Sequence, residues 1–137
     1  MRFLIIDNSS TTRWCLKSYL DEIGFESIEA TDGADALEKL CADGPFHGAI
    51  VNWDMPGMNG IEFIRTVRSN AGNSRLKLVM LTERNDIESA RQAFRAGADE
   101  SLTKPVTLDM IEDILKRSAG PTSVAPHRQP PAADTLP

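Results

Sequence analysis

Short apolar runs alternate with longer amphipathic segments along most of the chain. The five runs that we expect to form strands are FLII (3–6), SIEAT (27–31), GAIV (48–51), LKLVML (76–81) and ESLT (100–103). The first, third and fourth are apolar almost throughout, which is typical of strands covered on both faces of a sheet. The second and fifth are weaker signals of the same kind.

Between these runs, and after the last one, apolar residues recur at helical spacing. The five stripes expected to line helices are Leu16, Leu20 and Ile23; Ala36, Leu37 and Leu40; Ile61, Ile64 and Val67; Ile87, Ala90 and Phe94; and Leu108, Ile111 and Leu115. Ser9 and Ser10 offer N-caps for the first helix, and Gly24 ends it. Five strands alternating with five helices predict an α/β fold, with a five-stranded parallel sheet and helices on both faces.

The composition changes after Ser118, where prolines accumulate and apolar periodicity disappears. Such a segment cannot bury enough surface to order itself. We therefore expect one folded domain over residues 1–118, followed by a Pro-rich flexible tail or linker stub over residues 119–137.

Composition narrows the class of protein further. Of 137 residues, 41% are apolar and 26% are charged, and the net charge is −5, which argues against a nucleic-acid surface. No apolar run approaches the length of a membrane span, and MRFLIIDNSS is too short for a signal peptide, so we expect a cytoplasmic protein. We expect Cys15 and Cys41 to be reduced core side chains, and Trp14 to pack within its helix.

Polar side chains stand at the carboxyl ends of the predicted strands. They are Asp7 and Asn8, Asn52 and Asp54, Thr82, and Lys104 followed by Pro105. In doubly wound α/β folds the ligand site lies at these strand ends, at the point where the winding direction reverses. Each residue alone carries little information, but their order at successive strand ends predicts one shared site.

The motifs FLIIDNSSTTRWCLKSYLDEIGF, EATDGADALEKL, NWDMPGMNGIEFIRTVR, VMLTE and AGADESLTKP together resemble the receiver domain of bacterial two-component response regulators. The likeness is strongest to stand-alone chemotaxis-type (CheY-like) receivers and covers about residues 1–118. It implies a flavodoxin-like (βα)5 fold with strand order 2-1-3-4-5. In that family, acids after the first and third strands hold Mg²⁺, and the aspartate after the third strand accepts a phosphoryl group from a histidine kinase.

By this resemblance, the positions in this chain are Asp7, Asn8, Asn52 and the carbonyl of Asp54 for the metal, Asn52 for the phosphoacceptor, and Thr82 and Lys104 for the phosphoryl contacts. Two of the three acids are therefore amides. An amide is a poor nucleophile and cannot form a stable acyl phosphate, and Mg²⁺ prefers carboxylate oxygens. We expect Mg²⁺ binding to be weak or lost, unless the side chain of Asp54 turns inward. Ser101 stands at the switch position, which is usually aromatic in the family.

The leading hypothesis is a single-domain signalling or binding module, not an enzyme, that is not phosphorylated in the usual way. The resemblance implies a histidine kinase or phosphotransfer protein and a downstream protein as partners. It also makes Arg91 and Arg95 candidate partner contacts, although a solvated helix face is the simpler explanation of both. We expect no nucleic-acid or membrane partner, a monomer or weak dimer, and a cis peptide before Pro105.

Two alternatives stay open at this stage. In the first, the chain is an ordinary phosphorylatable receiver that carries an engineered Asp→Asn change at position 52. In the second, it is a small haloacid-dehalogenase-like phosphatase in which Asp7 is the nucleophile and Thr82 and Lys104 assist. That enzyme would need a second acid near Asp7, and DNSST lacks one. A flavin site is weaker again, because NSSTTR contains no glycine for a phosphate loop.

Overall fold

A parallel β-sheet forms the centre of the fold in the computed structural model, which describes residues 1–73, 75–83 and 87–119. Within those ranges the strands are β1 (Arg2–Ile6), β2 (Glu26–Ala30), β3 (Gly48–Asn52), β4 (Lys77–Thr82) and β5 (Glu100–Thr103). The α-helices are α1 (Ser10–Ile23), α2 (Gly33–Asp43), α3 (Gly60–Arg68), α4 (Ile87–Ala96) and α5 (Leu108–Ala119). The sheet order is β2-β1-β3-β4-β5, so the predicted fold class and strand order are confirmed.

Alternate residues of the strands face two separate apolar layers. Leu4 and Ile6 of β1 belong to the layer that α2, α3 and α4 cover, whereas Phe3 and Ile5 belong to the layer that α1 and α5 cover. This alternation follows from the two-residue period of a strand. Because helices cover both faces of the sheet, a ligand site is expected at the carboxyl ends of the strands. The winding direction reverses between β1 and β3, which are paired in parallel.

Short polar side chains cap the first turns of α1, α2 and α3 after the strand-end loops. Ser9 accepts a hydrogen bond from the Thr12 N–H at 3.3 Å, and Asp32 accepts one from the Asp35 N–H at 2.8 Å. Asn59 forms a full capping box with Glu62 at the start of α3. These residue types are preferred at N-caps because a short polar side chain satisfies a free backbone N–H. The caps determine the residue at which each strand-end loop ends and the following helix begins.

Asp35 also carries a perturbed acidity. Its pKa lies below the ordinary value because its carboxylate accepts a hydrogen bond from the Thr31 N–H at 3.0 Å. The Lys39 ammonium, 3.3 Å away on the next turn of α2, acts in the same direction. Both interactions favour the ionised carboxylate. They tie the first turn of α2 to the end of β2.

The apolar stripe predicted for α4 does not face the core. Ile87 is 69% exposed and Phe94 is 50% exposed, while Ser89 and Ala93 are buried. Small residues let α4 lie close against α3 and the sheet, and the larger side chains are left on the outer side. Alanine and serine occur on both the buried and the exposed side of helices. Hydrophobic periodicity therefore gave weight to the larger apolar residues and predicted the wrong face.

Two other packing expectations are also wrong. Trp14 is 68% exposed on the outer face of α1 and does not pack within the fold. Cys41 is exposed near the end of α2, and Cys15 is half-buried; both are free thiols.

The Lys104–Pro105 peptide is cis, as expected, and the Gly44–Pro45 peptide is cis as well. Within the described ranges, no helix is both long enough and apolar enough to cross a bilayer. The predicted tail falls outside the described residues from position 120 onward.

Candidate functional site

The residues selected from the strand ends converge on one small region, which we call the strand-end pocket. It consists of Asp7, Asn8, Asn52, Asp54, Thr82 and Lys104. The first four lie at the ends of β1 and β3, where the winding direction of the sheet reverses. Thr82 ends β4, and its carbonyl accepts a hydrogen bond from the Lys104 N–H at 2.9 Å. The structure therefore brings the predicted positions together at the strand ends.

Asp7 provides the negative charge at the base of the strand-end pocket. It is 1% exposed, and its Oδ1 accepts a hydrogen bond from the Ser9 N–H at 2.9 Å. Its Oδ2 accepts no hydrogen bond from the described part of the chain and lies 3.5 Å from Nζ of Lys104. A buried carboxylate needs a nearby opposite charge to offset its lost hydration. Lys104 supplies that charge, so the two together are neutral.

Asn52 lies at the end of β3 and is 5% exposed. Its side-chain NH2 donates a hydrogen bond to the backbone carbonyl of Asp54 at 2.8 Å and a longer one to Oδ1 of Asn8 at 3.4 Å. The amide therefore links the loop after β3 to the loop after β1. Asp54 presents its backbone carbonyl to the pocket, and as a residue it is exposed.

Thr82 and Ser101 lie on neighbouring strands but not in the same row. Thr82 is buried and pairs with Thr103, and its hydroxyl donates a hydrogen bond to the Leu102 carbonyl at 3.4 Å. Ser101 pairs with Met80 and is half-buried. Thr82 is thus placed beside Lys104 at the edge of the pocket, while Ser101 lies two residues further back along β5.

Arg13 supports the pocket and was missed by the sequence reasoning. Its Nη1 donates a hydrogen bond to the Asp7 carbonyl at 2.7 Å, and its Nε contacts Oε1 of Glu29 at 2.9 Å. It thereby joins α1 to the ends of β1 and β2. The only signal in the sequence was an arginine one turn into the helix that follows Asp7. Helical periodicity does not indicate which residue such an arginine contacts.

The loop after β3 is held by close backbone packing. Gly57 has a φ of 79°, in the left-handed region where glycine is favoured. At Gly60, a Cβ would lie 2.6 Å from the carbonyl oxygen of Asn52 and 2.9 Å from the sulfur of Met80. The start of α3 can therefore approach the end of β3 only without a side chain at that position.

Arg91 and Arg95 do not contribute to the strand-end pocket. Both are exposed on α4, on the same outer side as Ile87 and Phe94. Arg91 lies 3.7 Å from Glu88 in a solvent-exposed ion pair. This side of the helix combines apolar and positively charged groups.

Chemically, the strand-end pocket offers one buried carboxylate, one ammonium, a hydroxyl and two amides. The carboxylate and the ammonium are already paired, and the Asn52 amide is hydrogen-bonded to oxygens of the pocket itself. Such a set can bind a polar group through hydrogen bonds. At position 52 it offers no anionic oxygen as a nucleophile.

Comparison with known proteins agrees with this architecture. Residues 3–116 match the family described as "Response regulator receiver domain". The chain is 32% identical over 117 residues to chemotaxis protein CheY1 of Helicobacter pylori, covering 85% of this chain and 94% of that protein. It is 33% identical over 118 residues to chemotaxis protein CheY of Pseudomonas aeruginosa, with the same two coverages.

A solved structure gives the same answer. The chemotaxis response regulator CheY4 of Vibrio cholerae superimposes with a TM-score of 0.79 at 29% identity, covering 85% of this chain and 97% of that one. The family match over residues 3–116 includes β2 to β5, α1 to α4, and all but the first residue of β1 and the end of α5. This chain belongs to the response regulator receiver family of two-component signalling, and it is CheY-like.

Proposed function

We propose that this protein is a receiver-fold binding module that signals through protein contacts and is not phosphorylated at the usual position. The observation that supports the proposal is Asn52, a buried amide at the end of β3 where the family's phosphoacceptor stands. Receiver domains pair with histidine kinases or phosphotransfer proteins and with downstream targets. This protein keeps the scaffold for such contacts, and its site lacks the accepting carboxylate.

The chemistry at position 52 supports this proposal. Phosphoryl transfer depends on a positioned nucleophile and on cations that neutralise the developing charge. The amide oxygen of Asn52 is neutral, and a product formed on it would not be a stable acyl phosphate. The NH2 group is bonded to Asp54 and Asn8, so the side chain is also held in place. Thr82 and Lys104 line the same region, where they contact Leu102 and Asp7, but no transfer step at residue 52 follows from them.

The test is phosphorylation by a small-molecule donor. The protein is incubated with acetyl phosphate and millimolar Mg²⁺ and weighed by intact-mass spectrometry. We expect no added phosphoryl mass on the natural chain and partial addition on the Asn52→Asp variant. A base-labile gain of one phosphoryl mass on the natural chain, localised to residue 52, would refute the proposal. Sequencing codon 52 in the source genome separates it from the alternative of an engineered change.

The outer side of α4 is the partner surface that we propose. It presents Ile87 and Phe94 as exposed apolar groups, with Arg91 and Arg95 beside them. Exposed aromatic and arginine side chains are the types that contribute most to protein interfaces. The two arginines favour a partner with an acidic rim.

The test of this surface is binding to a candidate kinase or target before and after Phe94→Ser. We expect the affinity to fall at least roughly tenfold, while Trp14→Ser, which replaces an even more exposed aromatic residue on α1, leaves it unchanged. Equal affinity of the Phe94→Ser protein would remove α4 from the interface. A cytoplasmic location fits partners of this class.

The geometry favours the binding module over a phosphatase that uses Asp7. Asp7 is 1% exposed, and its two oxygens face Ser9 and Lys104. A nucleophile needs access to the substrate, and this carboxylate has little. Turnover of p-nitrophenyl phosphate that disappears in the Asp7→Ala variant would restore the enzyme hypothesis.

A further inference from the structure

The orientation of the Asn52 side chain is fixed by its surroundings. Its shorter hydrogen bond, 2.8 Å, goes to the backbone carbonyl oxygen of Asp54. A carbonyl can only accept, so the atom that faces it must be the NH2 nitrogen and not the amide oxygen. The same nitrogen lies 3.4 Å from Oδ1 of Asn8.

These two acceptors are oxygens at positions where the family binds Mg²⁺. One belongs to the loop after β1 and the other to the loop after β3, and a bound cation would draw both toward one point. In this protein the positive end of an amide dipole already lies between them. The Asn52 NH2 therefore makes the contacts that a metal ion would otherwise make to those two oxygens.

The rest of the strand-end pocket does not fit Mg²⁺ either. The ion prefers near-octahedral oxygen ligands and is usually held by one or two carboxylates. Asp7 is the one buried carboxylate of the pocket; its Oδ1 is bonded to the Ser9 N–H, and its Oδ2 faces Lys104 at 3.5 Å. Only Oδ2 has no hydrogen bond from the described residues. A single oxygen already beside an ammonium is a poor basis for binding a divalent cation.

We infer that the amide of Asn52 is a built-in substitute for the metal ion, which ties the two loops together so that the strand-end pocket is fully assembled without Mg²⁺. The inference deepens the proposed function, and it rests on that function for the absence of a phosphoryl group at this residue. It goes beyond the loss of a nucleophile, because it assigns the NH2 group a positive role. The metal-free protein then has one pocket conformation, and Mg²⁺ does not change it.

The test compares Mg²⁺ responses in three variants and the natural chain. Asn52→Asp replaces the donor with a carboxylate that faces the Asp54 carbonyl, and Asn52→Ala removes the donor without adding charge. Asn59→Asp is the matched control, because it adds the same charge at the other end of the connection between β3 and α3 and keeps an N-cap acceptor for α3. Each protein is melted in chelator and in millimolar Mg²⁺ at matched ionic strength.

We expect the melting temperature of the natural chain and of Asn59→Asp to change by less than a degree with Mg²⁺. We expect both position-52 variants to melt lower than the natural chain in chelator, and Mg²⁺ to restore several degrees to Asn52→Asp alone. Trp53 directly follows Asn52 and is half-buried, so its fluorescence gives a second readout. A Trp14→Phe background removes the signal of the other tryptophan.

A readout on the natural chain keeps the test independent of variant folding. In a ¹⁵N NMR spectrum, the Asn52 NH2 resonances should show slow hydrogen exchange and should not shift when Mg²⁺ is added. Rapid exchange of these protons, or a melting temperature of the natural chain that rises with Mg²⁺ as much as that of Asn52→Asp, would overturn the inference. Equal stability of Asn52→Ala and the natural chain in chelator would overturn it as well.

The failure of this inference can be told apart from the failure of the proposed function. A phosphoryl adduct at residue 52 of a chain that shows no Mg²⁺ response would refute the proposed function, whereas the metal-free assembly of the pocket in the unphosphorylated protein would still stand. Stabilisation of the natural chain by Mg²⁺ without any adduct would refute the metal substitute and leave the proposed function standing.

Discussion

Removing Lys104 should destabilise the protein through the buried carboxylate that it faces. The Lys104→Met variant keeps much of the side-chain volume and deletes the ammonium 3.5 Å from Oδ2 of Asp7. At that distance, with an effective dielectric constant of about 20, the attraction between unit charges is about 5 kcal/mol. Lys104 is 24% exposed, and the separation is too long for a strong charge-assisted hydrogen bond. We therefore expect a smaller net loss in the free energy of unfolding, about 3 kcal/mol, at the lower end of what removing one partner of a buried ion pair costs.

A double-mutant cycle measures the interaction itself. Urea unfolding at neutral pH, followed by circular dichroism, is compared for the natural chain, Lys104→Met, Asp7→Asn and the double variant. We expect Asp7→Asn alone to change stability little, because it removes the buried charge together with the need for a counter-charge. The coupling energy should lie near the upper end of the range of about 0.5–3 kcal/mol that residues in direct contact show.

The exposed pair of Arg91 and Glu88 provides the matched control. Its charged groups are 3.7 Å apart, and the two side chains are 65% and 59% exposed. Pairs of this kind contribute roughly 0.5 kcal/mol or less, since solvent screens them. If the Asp7–Lys104 coupling is no larger than that of this surface pair, the reasoning from burial is wrong.

Three further predictions follow from packing, acidity and exposure. Gly60→Ala should lower the free energy of unfolding by about 1–3 kcal/mol in urea titrations, because its Cβ has no space against β3, whereas Gly72→Ala should be nearly neutral. Asp35→Asn should be less stable than the natural chain at neutral pH. That deficit should shrink as the pH falls below 3.8, because a lowered pKa stabilises the fold only while the carboxylate is ionised. In the folded protein, a thiol reagent should modify Cys41 faster than Cys15 when followed by mass spectrometry.

Each of these three has a contrary outcome. Gly60→Ala with natural stability would mean that the start of α3 can move away from β3 without loss. A stability difference at Asp35 that stays constant through the acid range would assign the effect to packing rather than to charge. Faster labelling of Cys15 would indicate that α1 opens more readily than the static exposure of its residues implies.

The strands and the polar residues at their ends were predictable because they depend on short-range patterns. Runs such as GAIV and LKLVML identified β3 and β4 to within a residue, and the polar residues at their ends followed directly. The strand order came from the motif resemblance rather than from periodicity. The α4 face was predicted wrongly, since Ser89 and Ala93 are small enough for either side of a helix.

The internal contacts of the strand-end pocket were harder to foresee. An asparagine after a strand usually accepts a hydrogen bond from a backbone N–H two residues on. Asn52 instead donates to the carbonyl of Asp54, which depends on how the loop between β3 and α3 turns. The contact between Arg13 and the Asp7 carbonyl likewise depends on the placement of α1 against the sheet. No local pattern of residue types specifies contacts of this kind.

In α4, the residues that pack against the rest of the fold differ from those that are exposed to solvent. Ser89 and Ala93 are buried against the fold, while Ile87 and Phe94 are exposed to solvent. Substitutions at the two outer positions should leave the folding free energy nearly unchanged, because surface changes away from special contacts have small effects. Recognition properties can therefore diversify on this helix without eroding the scaffold, and related chains could differ greatly there while remaining equally robust.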